Sequence, residues 1–218
     1  MALISDEYRE KLTKKFEEVL KETVTLKFFT QDDEKCPYCK DTLGLLQEMT
    51  ELSPKIKLEV HQVGDEDSKK YNVEKSPVTV LISDKFPEGN VRYFGIPSGY
   101  EFSSLIEDIE TFSTGNVELK DKTVQILKSI EKPVNIKVFI TPTCPYCPSA
   151  VRTAHKFSLV NKNIVSDMVE SYEFEEESEE AGVSSVPHIT INKDTEFVGA
   201  LPEDEFLSYV IEAVSEKH

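Results

Sequence analysis

The tetrapeptide Cys-Pro-Tyr-Cys occurs twice in this chain of 218 residues, and its two copies contain all four cysteines. One copy runs from Cys36 to Cys39 and the other from Cys144 to Cys147. An apolar run precedes each copy and an amphipathic segment follows it, which predicts a strand, the cysteine pair and then a helix. A helix start offers free N–H groups and the positive end of the helix dipole, which favour a thiolate at the first cysteine. The pattern therefore indicates dithiol–disulfide chemistry.

The rest of the sequence repeats around these two copies. Hydrophobic periodicity predicts the same series in each half: helix, strand, cysteine pair, helix, strand, short helix, two strands and a closing helix. The series restarts after the turn-forming residues 113–116. We therefore predict an α/β fold of two tandem domains, residues 1–115 and 116–218, each with a central mixed β-sheet flanked by helices. The helix after the first pair is predicted to bury the apolar stripe Leu43, Leu46 and Met49.

Charge and hydropathy exclude several classes of partner and location. The chain has 25 Lys and Arg residues against 41 Asp and Glu, a net charge of −16, so nucleic acid and anionic membrane surfaces should repel it. The apolar start at residues 2–4 is too short for the core of a signal peptide, and no apolar run is long enough to cross a bilayer. We expect a cytoplasmic protein, and its many Glu and Lys residues favour a thermophilic source.

Several features together resemble one known family. They are the two Cys-Pro-Tyr-Cys pairs, Pro148 after the second pair, the late prolines Pro77 and Pro187, and the stretch 91–97. With these features the whole chain resembles the two-domain, glutaredoxin-like protein disulfide oxidoreductases of thermophilic archaea and bacteria, in which each unit has a thioredoxin fold. The resemblance implies an enzyme that exchanges disulfides with protein clients. It also implies that no cofactor is bound and that a thioredoxin-reductase-like flavoprotein supplies the reducing equivalents.

The four cysteines are the candidate catalytic residues. Cys36 and Cys144, as the first cysteines, would attack a substrate disulfide as thiolates. Cys39 and Cys147, one helical turn along, would be the resolving thiols. The same reaction in the opposite sense oxidises a dithiol client, so the sequence leaves open whether protein disulfides are reduced, formed or isomerised.

The two late prolines are candidates for substrate binding. The resemblance implies that Pro77 and Pro187 follow cis peptide bonds and face the cysteine pairs. Such bonds would direct the backbone of Ser76 and Val186 toward an extended substrate, which could pair there as an added strand. A plainer interpretation is that each proline begins a strand at a place where no backbone donor is required.

Other side chains near the pairs have both a functional and a plainer interpretation. Tyr38 and Tyr146 could contact substrate or glutathione, although a residue at an exposed helix start needs no such role. His155 and His188 could tune a thiol, but packing or surface positions are the preferred interpretation. The acidic run at residues 170–180 could bind a cationic partner, but a solvated helix face is the preferred interpretation.

The surroundings of the two pairs differ. Charged residues flank the first pair, whereas residues 141–143 and 148–150 are uncharged. Nearby anions raise a thiol pKa and cations lower it, so we expect the two pairs to have different reduction potentials. We predict that the second pair performs most of the disulfide exchange with protein clients. Thr30 and Val138 stand where many thioredoxins have a buried acid, so proton transfer would use water or another carboxylate. The charged residues near the first pair are Asp32, Asp33, Glu34, Lys35 and Lys40.

Several alternatives stay open at this point. A structural zinc site is disfavoured, because zinc ribbons separate their cysteine pairs by about 15–20 residues, far fewer than here. Two inert structural disulfides are disfavoured as well. The chain could instead carry electrons from a flavoprotein to a peroxiredoxin, or bind clients as a chaperone or adaptor without turnover. It has no phosphate-binding glycine loop and no flavin or nicotinamide fingerprint, so electrons would arrive through another protein.

Overall fold

The computed structural model describes residues 3–32 and 34–215, so Asp33 beside the first cysteine pair lies outside the described residues. Helices and strands follow the predicted series in both halves of the chain. The helices are α1 (Asp6–Val19), α2 (Cys39–Glu51), α3 (Glu66–Lys70), α4 (Phe102–Thr114), α5 (Asp121–Lys128), α6 (Cys147–Val160), α7 (Glu175–Glu180) and α8 (Glu203–Val214), with a 3-10 helix at Gly99–Glu101. The strands are β1 (Val24–Thr30), β2 (Ile56–Gln62), β3 (Val78–Ile82), β4 (Val91–Phe94), β5 (Val134–Ile140), β6 (Ile164–Glu170), β7 (His188–Ile191) and β8 (Thr195–Val198).

The described residues form two compact units, and these do not coincide with the two halves of the sequence. The first unit contains the described residues up to Gly89 together with Phe94–Ile96 and Ile106–Asn116. The second unit contains Asn90–Tyr93, Pro97–Leu105 and the described residues from Val117 onward. Two stretches from the first half of the sequence thus belong to the second unit. The domain boundary after residue 115, as a boundary between independently folding parts, stays a prediction.

In the first unit, β1 is the middle strand of the order β2, β1, β3. It runs parallel to β2, from the pair Val24 and Ile56 to the pair Thr30 and Gln62, and antiparallel to β3. A parallel pair needs a crossover connection, and α2 supplies it. The loop that carries Cys36 therefore lies at the carboxyl end of the central strand.

The helix α2 buries a different stripe from the predicted one. Thr42, Leu45, Leu46 and Met49 are buried, whereas Leu43 is only half-buried. The buried positions follow the i, i+3, i+4, i+7 pattern of a helix face, and Leu43 is out of phase with them. The prediction of Leu46 and Met49 is confirmed, and that of Leu43 is wrong. Within the part of the chain that the structure describes, no helix has both the length and the apolar character needed to cross a bilayer.

In the second unit the strand order is β4, β6, β5, β7, β8. The central strand β5 is parallel to β6, from the pair Val134 and Ile164 to the pair Ile140 and Glu170, and antiparallel to β7. The strands β7 and β8 are antiparallel. The predicted α/β fold with a mixed sheet and flanking helices is confirmed, and the loop that carries Cys144 follows the central strand as in the first unit.

An ion pair between the half-buried Arg92 and the buried Asp167 joins β4 to β6 within the second unit. The Arg92 guanidinium donates through Nε to Asp167 Oδ1 at 2.6 Å and through Nη2 to Asp167 Oδ2 at 2.8 Å. The Asn135 amide donates to the same Oδ2 at 3.0 Å, and the Ser166 amide donates to the Asn90 carbonyl at 2.8 Å. Two parallel bonds between guanidinium and carboxylate are a strong arrangement, and they fix β4, which comes from the first half of the sequence, in this sheet.

Candidate active site

Each cysteine pair is closed as a disulfide at the start of a helix. Cys36 is bonded to Cys39 with a Cα–Cα distance of 5.3 Å, and Cys144 is bonded to Cys147 with a Cα–Cα distance of 5.5 Å. The second cysteine of each pair is the first residue of α2 or α6. All four cysteines are buried, and Cys144 is the most exposed of them at 7%. The predicted order of strand, pair and helix is confirmed at both sites.

The helix-start amides point differently at the two pairs. The Cys147 N–H donates to Cys144 Sγ at 3.1 Å. The corresponding Cys39 N–H donates to the Cys36 carbonyl oxygen at 3.2 Å. An N–H group that donates to sulfur stabilises the thiolate more than the thiol, because hydrogen bonding to the charged form favours that form. The geometry therefore favours a thiolate at Cys144.

Both late prolines follow cis peptide bonds, as the resemblance implies. The bonds are Ser76–Pro77 and Val186–Pro187, and both prolines are buried. The Val186 carbonyl oxygen lies 3.8 Å from Cys144 Sγ, which places this backbone at the second pair. At the first site the Ser76 hydroxyl donates to Gln31 Oε1 at 3.0 Å, in the loop that leads to the cysteines. Substrate binding by these four residues stays a prediction.

The tyrosines inside the two tetrapeptides are exposed to different extents. Tyr38 immediately precedes α2 and is 41% exposed, while Tyr146 immediately precedes α6 and is 70% exposed. Both rings are therefore open to a partner, and contact with substrate stays a prediction. The charged residues that the structure describes near the first pair are exposed as well, so water and salt screen their effect on a thiol.

A buried carboxyl that sequence reasoning missed lies in the 3-10 helix Gly99–Glu101. Glu101 is 1% exposed, and the adjacent Tyr100 N–H donates to the Pro142 carbonyl at 3.0 Å, in the loop before Cys144. Burial raises the pKa of Glu101 to about 7, and nearby Ser104 and the charge of Arg152 act in the opposite direction. This group therefore gains and loses its proton near neutral pH. No local signal in the sequence marks it, because its neighbours at the second site come from the other half of the chain.

Glu170 is a second buried acid at this site, and the interpretation of residues 170–180 as a uniformly solvated face is wrong there. Glu170 ends β6 opposite Ile140 and is 2% exposed, and its Oε2 accepts the Glu173 N–H at 2.8 Å. Burial raises its pKa, while the backbone N–H groups of Glu173 and Tyr172 lower it. The corresponding position in the first unit, opposite Thr30, is the exposed Gln62. Register between strands, rather than sequence, identifies Glu170.

The two histidines of the second unit pack inside it. His155 is fully buried and meets Tyr93 edge to face, with ring centroids 5.1 Å apart. Burial, together with the charge of Arg152, lowers the pKa of His155 to about 3 against the opposing effect of Asp167, so the ring is neutral at neutral pH. His188 lies edge-on to Phe139 at 6.2 Å. These contacts agree with the packing interpretation.

A group of possible metal ligands lies in the first unit away from the cysteines. Glu59, His61 and Asp67 place their ligand atoms close together. The Lys27 ammonium contacts Glu59 and donates to Asp67 at 2.7 Å, so this cluster already has a cation. The alternative of a zinc site made of four thiolates is disfavoured, because each cysteine pair is a separate disulfide.

Comparison with known proteins identifies three relevant similarities. A family model described as a thioredoxin domain matches residues 134–212. A solved protein disulfide oxidoreductase from Aeropyrum pernix is 35% identical with a TM-score of 0.87, and the match covers 96% of this chain and 93% of that one. The N/C domain of an alkyl hydroperoxide reductase from Enterococcus faecalis is 25% identical with a TM-score of 0.84, and the match covers 97% and 100% of the two chains.

Curated relatives extend beyond the length of this chain. The F component of the alkyl hydroperoxide reductase from Staphylococcus aureus is 30% identical over 176 residues, which are 81% of this chain and 32% of the relative. The chain thus spans about a third of the length of that relative. The solved Enterococcus faecalis domain, in contrast, has about the same extent as this chain.

Proposed function

The chain belongs to the protein disulfide oxidoreductases with two thioredoxin-like units, and from this premise we propose that Cys144 and Cys147 perform most of the exchange with protein substrates. The chain is a thiol–disulfide oxidoreductase with two redox disulfides. The observation that carries the proposal is the Cys147 N–H, which donates to Cys144 Sγ at 3.1 Å. This bond favours the thiolate that attacks. The Val186 carbonyl, 3.8 Å from the same sulfur, supports binding of an extended substrate backbone beside it.

In the reductive direction the reaction begins with the reduced pair. The Cys144 thiolate attacks one sulfur of a substrate disulfide, a bond forms between the two sulfurs, and the substrate S–S bond breaks. The released substrate thiolate takes a proton from water. The Cys147 thiolate then attacks Cys144 Sγ, which releases the second substrate thiolate and leaves the Cys144–Cys147 disulfide. Two electrons pass from the dithiol to the substrate, and the reverse sequence oxidises a dithiol client.

The other predicted residues have matching roles at each pair. Ser76 and Pro77 at the first pair, and Val186 and Pro187 at the second, would hold the substrate backbone. Cys36 would be the attacking thiol of the first pair and Cys39 its resolving thiol. A thioredoxin-reductase-like flavoprotein would restore the dithiols, so the chain itself would hold no cofactor. We further propose a cytoplasmic location, and a thermophilic source as the many Glu and Lys residues suggest.

The test is reduction of insulin by dithiothreitol with wild type, Cys144→Ser and the matched variant Cys36→Ser. We expect Cys144→Ser to lose most of the turnover and Cys36→Ser to keep most of it. Titration of each dithiol against glutathione buffers should give two different reduction potentials. Equal loss of insulin reduction in the two variants would contradict the assignment of the main work to the second pair.

A second candidate function is electron transfer from a flavoprotein to a peroxiredoxin. The similarity to the F component of alkyl hydroperoxide reductase and to the Enterococcus faecalis domain favours it. The measurement is the ratio of kcat/KM for a peroxiredoxin to kcat/KM for insulin, with a thioredoxin reductase and its nicotinamide as the electron source. A ratio far above one supports the carrier, and a ratio far below one supports the general oxidoreductase. Binding of unfolded clients with no turnover on either substrate would instead indicate a chaperone or adaptor.

A further inference from the structure

Three tyrosines of the second unit are exposed on separate segments of the chain. Tyr100 is 56% exposed, and Tyr146 and Tyr172 are each 70% exposed. A single exposed aromatic residue is ordinary, whereas several around a reactive group indicate a surface that binds a partner. All three rings belong to the unit that holds the Cys144–Cys147 disulfide.

Backbone hydrogen bonds attach two of the tyrosine segments to residues 140–147, which contain the third tyrosine. Tyr146 lies within that stretch, between the cysteines. The Tyr100 N–H donates to the Pro142 carbonyl at 3.0 Å, two residues before Cys144. The Ser171 N–H donates to the Ile140 carbonyl at 2.9 Å, and Tyr172 is the next residue. Different parts of the sequence thus bring backbone segments that carry exposed tyrosines to the loop with the reactive sulfur.

The first site lacks a ring at the position that corresponds to Tyr172. The Val63 N–H donates to the Thr30 carbonyl at 3.0 Å, as the Ser171 N–H does to the Ile140 carbonyl. The residue after Val63 is Gly64, which has no side chain. The two sites are therefore built on the same backbone pattern, but only the second presents an aromatic side chain at this place.

We propose that Tyr100, Tyr146 and Tyr172 form a binding surface for an unfolded polypeptide segment with aromatic or aliphatic side chains beside its disulfide. This inference rests on the proposed function of the second pair and names its substrate class. Tyrosine offers a large apolar area with little loss of conformational freedom, so it tolerates varied side chains in its partner. A folded client buries such side chains, whereas an unfolded or misfolded one exposes them next to its cysteines.

Charge near the surface favours the same kind of substrate over small anionic disulfides. The acidic helix α7 begins three residues after Tyr172, with Glu175 and Glu176 exposed, and the chain as a whole has a net charge of −16. Oxidised glutathione is an anion and is repelled by this field, whereas a neutral or basic polypeptide is not. Apolar contact with the rings would then supply most of the affinity.

The test uses two short peptides, each closed by one disulfide, that differ only in whether Leu and Phe or Ser and Gly flank the cysteines. KM and kcat are measured for both in the full chain with Cys36→Ser and Cys39→Ser, so that the second pair alone reacts. We expect Tyr172→Ser and Tyr100→Ser each to raise KM for the apolar peptide about threefold to tenfold with kcat unchanged. KM for the polar peptide should change little, and Tyr172→Phe should restore the wild-type value.

The matched control is Tyr8→Ser in α1 of the first unit, an exposed tyrosine at 42%. The inference is overturned if the tyrosine variants affect both peptides equally, if they affect neither, or if Tyr8→Ser gives the same change. If circular dichroism shows that Tyr172→Ser is not folded, KM of Tyr100→Ser for the two peptides provides the test. Failure of the proposed function would give a different result: the chain with Cys36→Ser and Cys39→Ser would then reduce neither peptide.

Discussion

Among the carboxyl groups of the second unit, Glu101 shows how burial changes the behaviour of a single residue. Its pKa is about 7 in the folded protein because burial disfavours the charged form, against an ordinary value of 4.5. As pH rises above that ordinary value, the unfolded chain loses this proton while the folded protein keeps it. The free energy of unfolding therefore falls with rising pH until the folded Glu101 also ionises near pH 7. Above that pH the loss of stability is complete and no longer changes.

The replacement Glu101→Gln should remove this pH-dependent cost. We expect the free energy of unfolding of the variant, relative to wild type, to rise by about 3 kcal/mol between about pH 4 and about pH 8. Urea unfolding of the oxidised protein at several pH values measures it. The exposed Glu176→Gln is the control for loss of a surface carboxyl group. A difference for Glu101→Gln that does not change with pH would show that burial does not raise the pKa of this carboxyl.

At the scale of a structural element, the 3-10 helix Gly99–Glu101 depends on the absence of a side chain at its first residue. Gly99 has a φ of 61°, and a Cβ there would lie 2.2 Å from the Pro142 carbonyl oxygen. That oxygen accepts the Tyr100 N–H, so a methyl group would break the contact that holds Tyr100 and Glu101 at the second site. Only glycine permits both the backbone conformation and the close approach.

The replacement Gly99→Ala tests this dependence. We expect a loss of about 1–3 kcal/mol in the free energy of unfolding beyond the strain of a positive φ, together with slower alkylation of reduced Cys144. Gly182→Ala is the matched control, because Gly182 has a φ of 69° and open space where its Cβ would lie. The control should cost only about 1–2 kcal/mol for the left-handed conformation and leave Cys144 reactivity unchanged. Equal effects of the two changes would show that the close contact does not matter.

At the scale of the whole molecule, the second unit contains residues from both halves of the sequence. The second unit takes Asn90–Tyr93 and Pro97–Leu105 from the first half of the chain. The first stretch contains most of β4 with Arg92, which binds Asp167, and the second contains the 3-10 helix with Tyr100 and Glu101. The second site is therefore built from both halves of a duplicated sequence.

The replacement Arg92→Met tests how much the second unit depends on this contribution. It leaves the buried Asp167 carboxylate without its guanidinium, and we expect a loss of about 3–5 kcal/mol in the free energy of unfolding. The double variant Arg92→Met/Asp167→Leu removes both charges and should recover most of that loss. Urea unfolding followed by far-UV circular dichroism measures both. A double variant no more stable than the single one would contradict the role given to the ion pair.

Some of this organisation is readable in the sequence and some is not. The order of elements and both cysteine pairs are predictable, because periodicity and the repeat act over short stretches. Leu43 is mispredicted because an alternative phase of the same helix buries Leu45. Glu170 is misplaced because it belongs to a run of glutamates, and only its register opposite Ile140 shows that it is buried. Glu101 carries no signal at all, since its environment is assembled by the fold.

The contact between Gly99 and Pro142 also bears on how such a protein can diverge or be recombined. The internal repeat suggests that the two halves of the chain could be exchanged as units. A chimera joined after residue 115 would nevertheless lose β4 and the 3-10 helix Gly99–Glu101, which complete the second redox site. A crossover before Asn90 would transfer them together. Substitutions between Asn90 and Leu105 are therefore constrained by the reaction at Cys144 and Cys147, although these cysteines lie about 40 residues or more further along the chain.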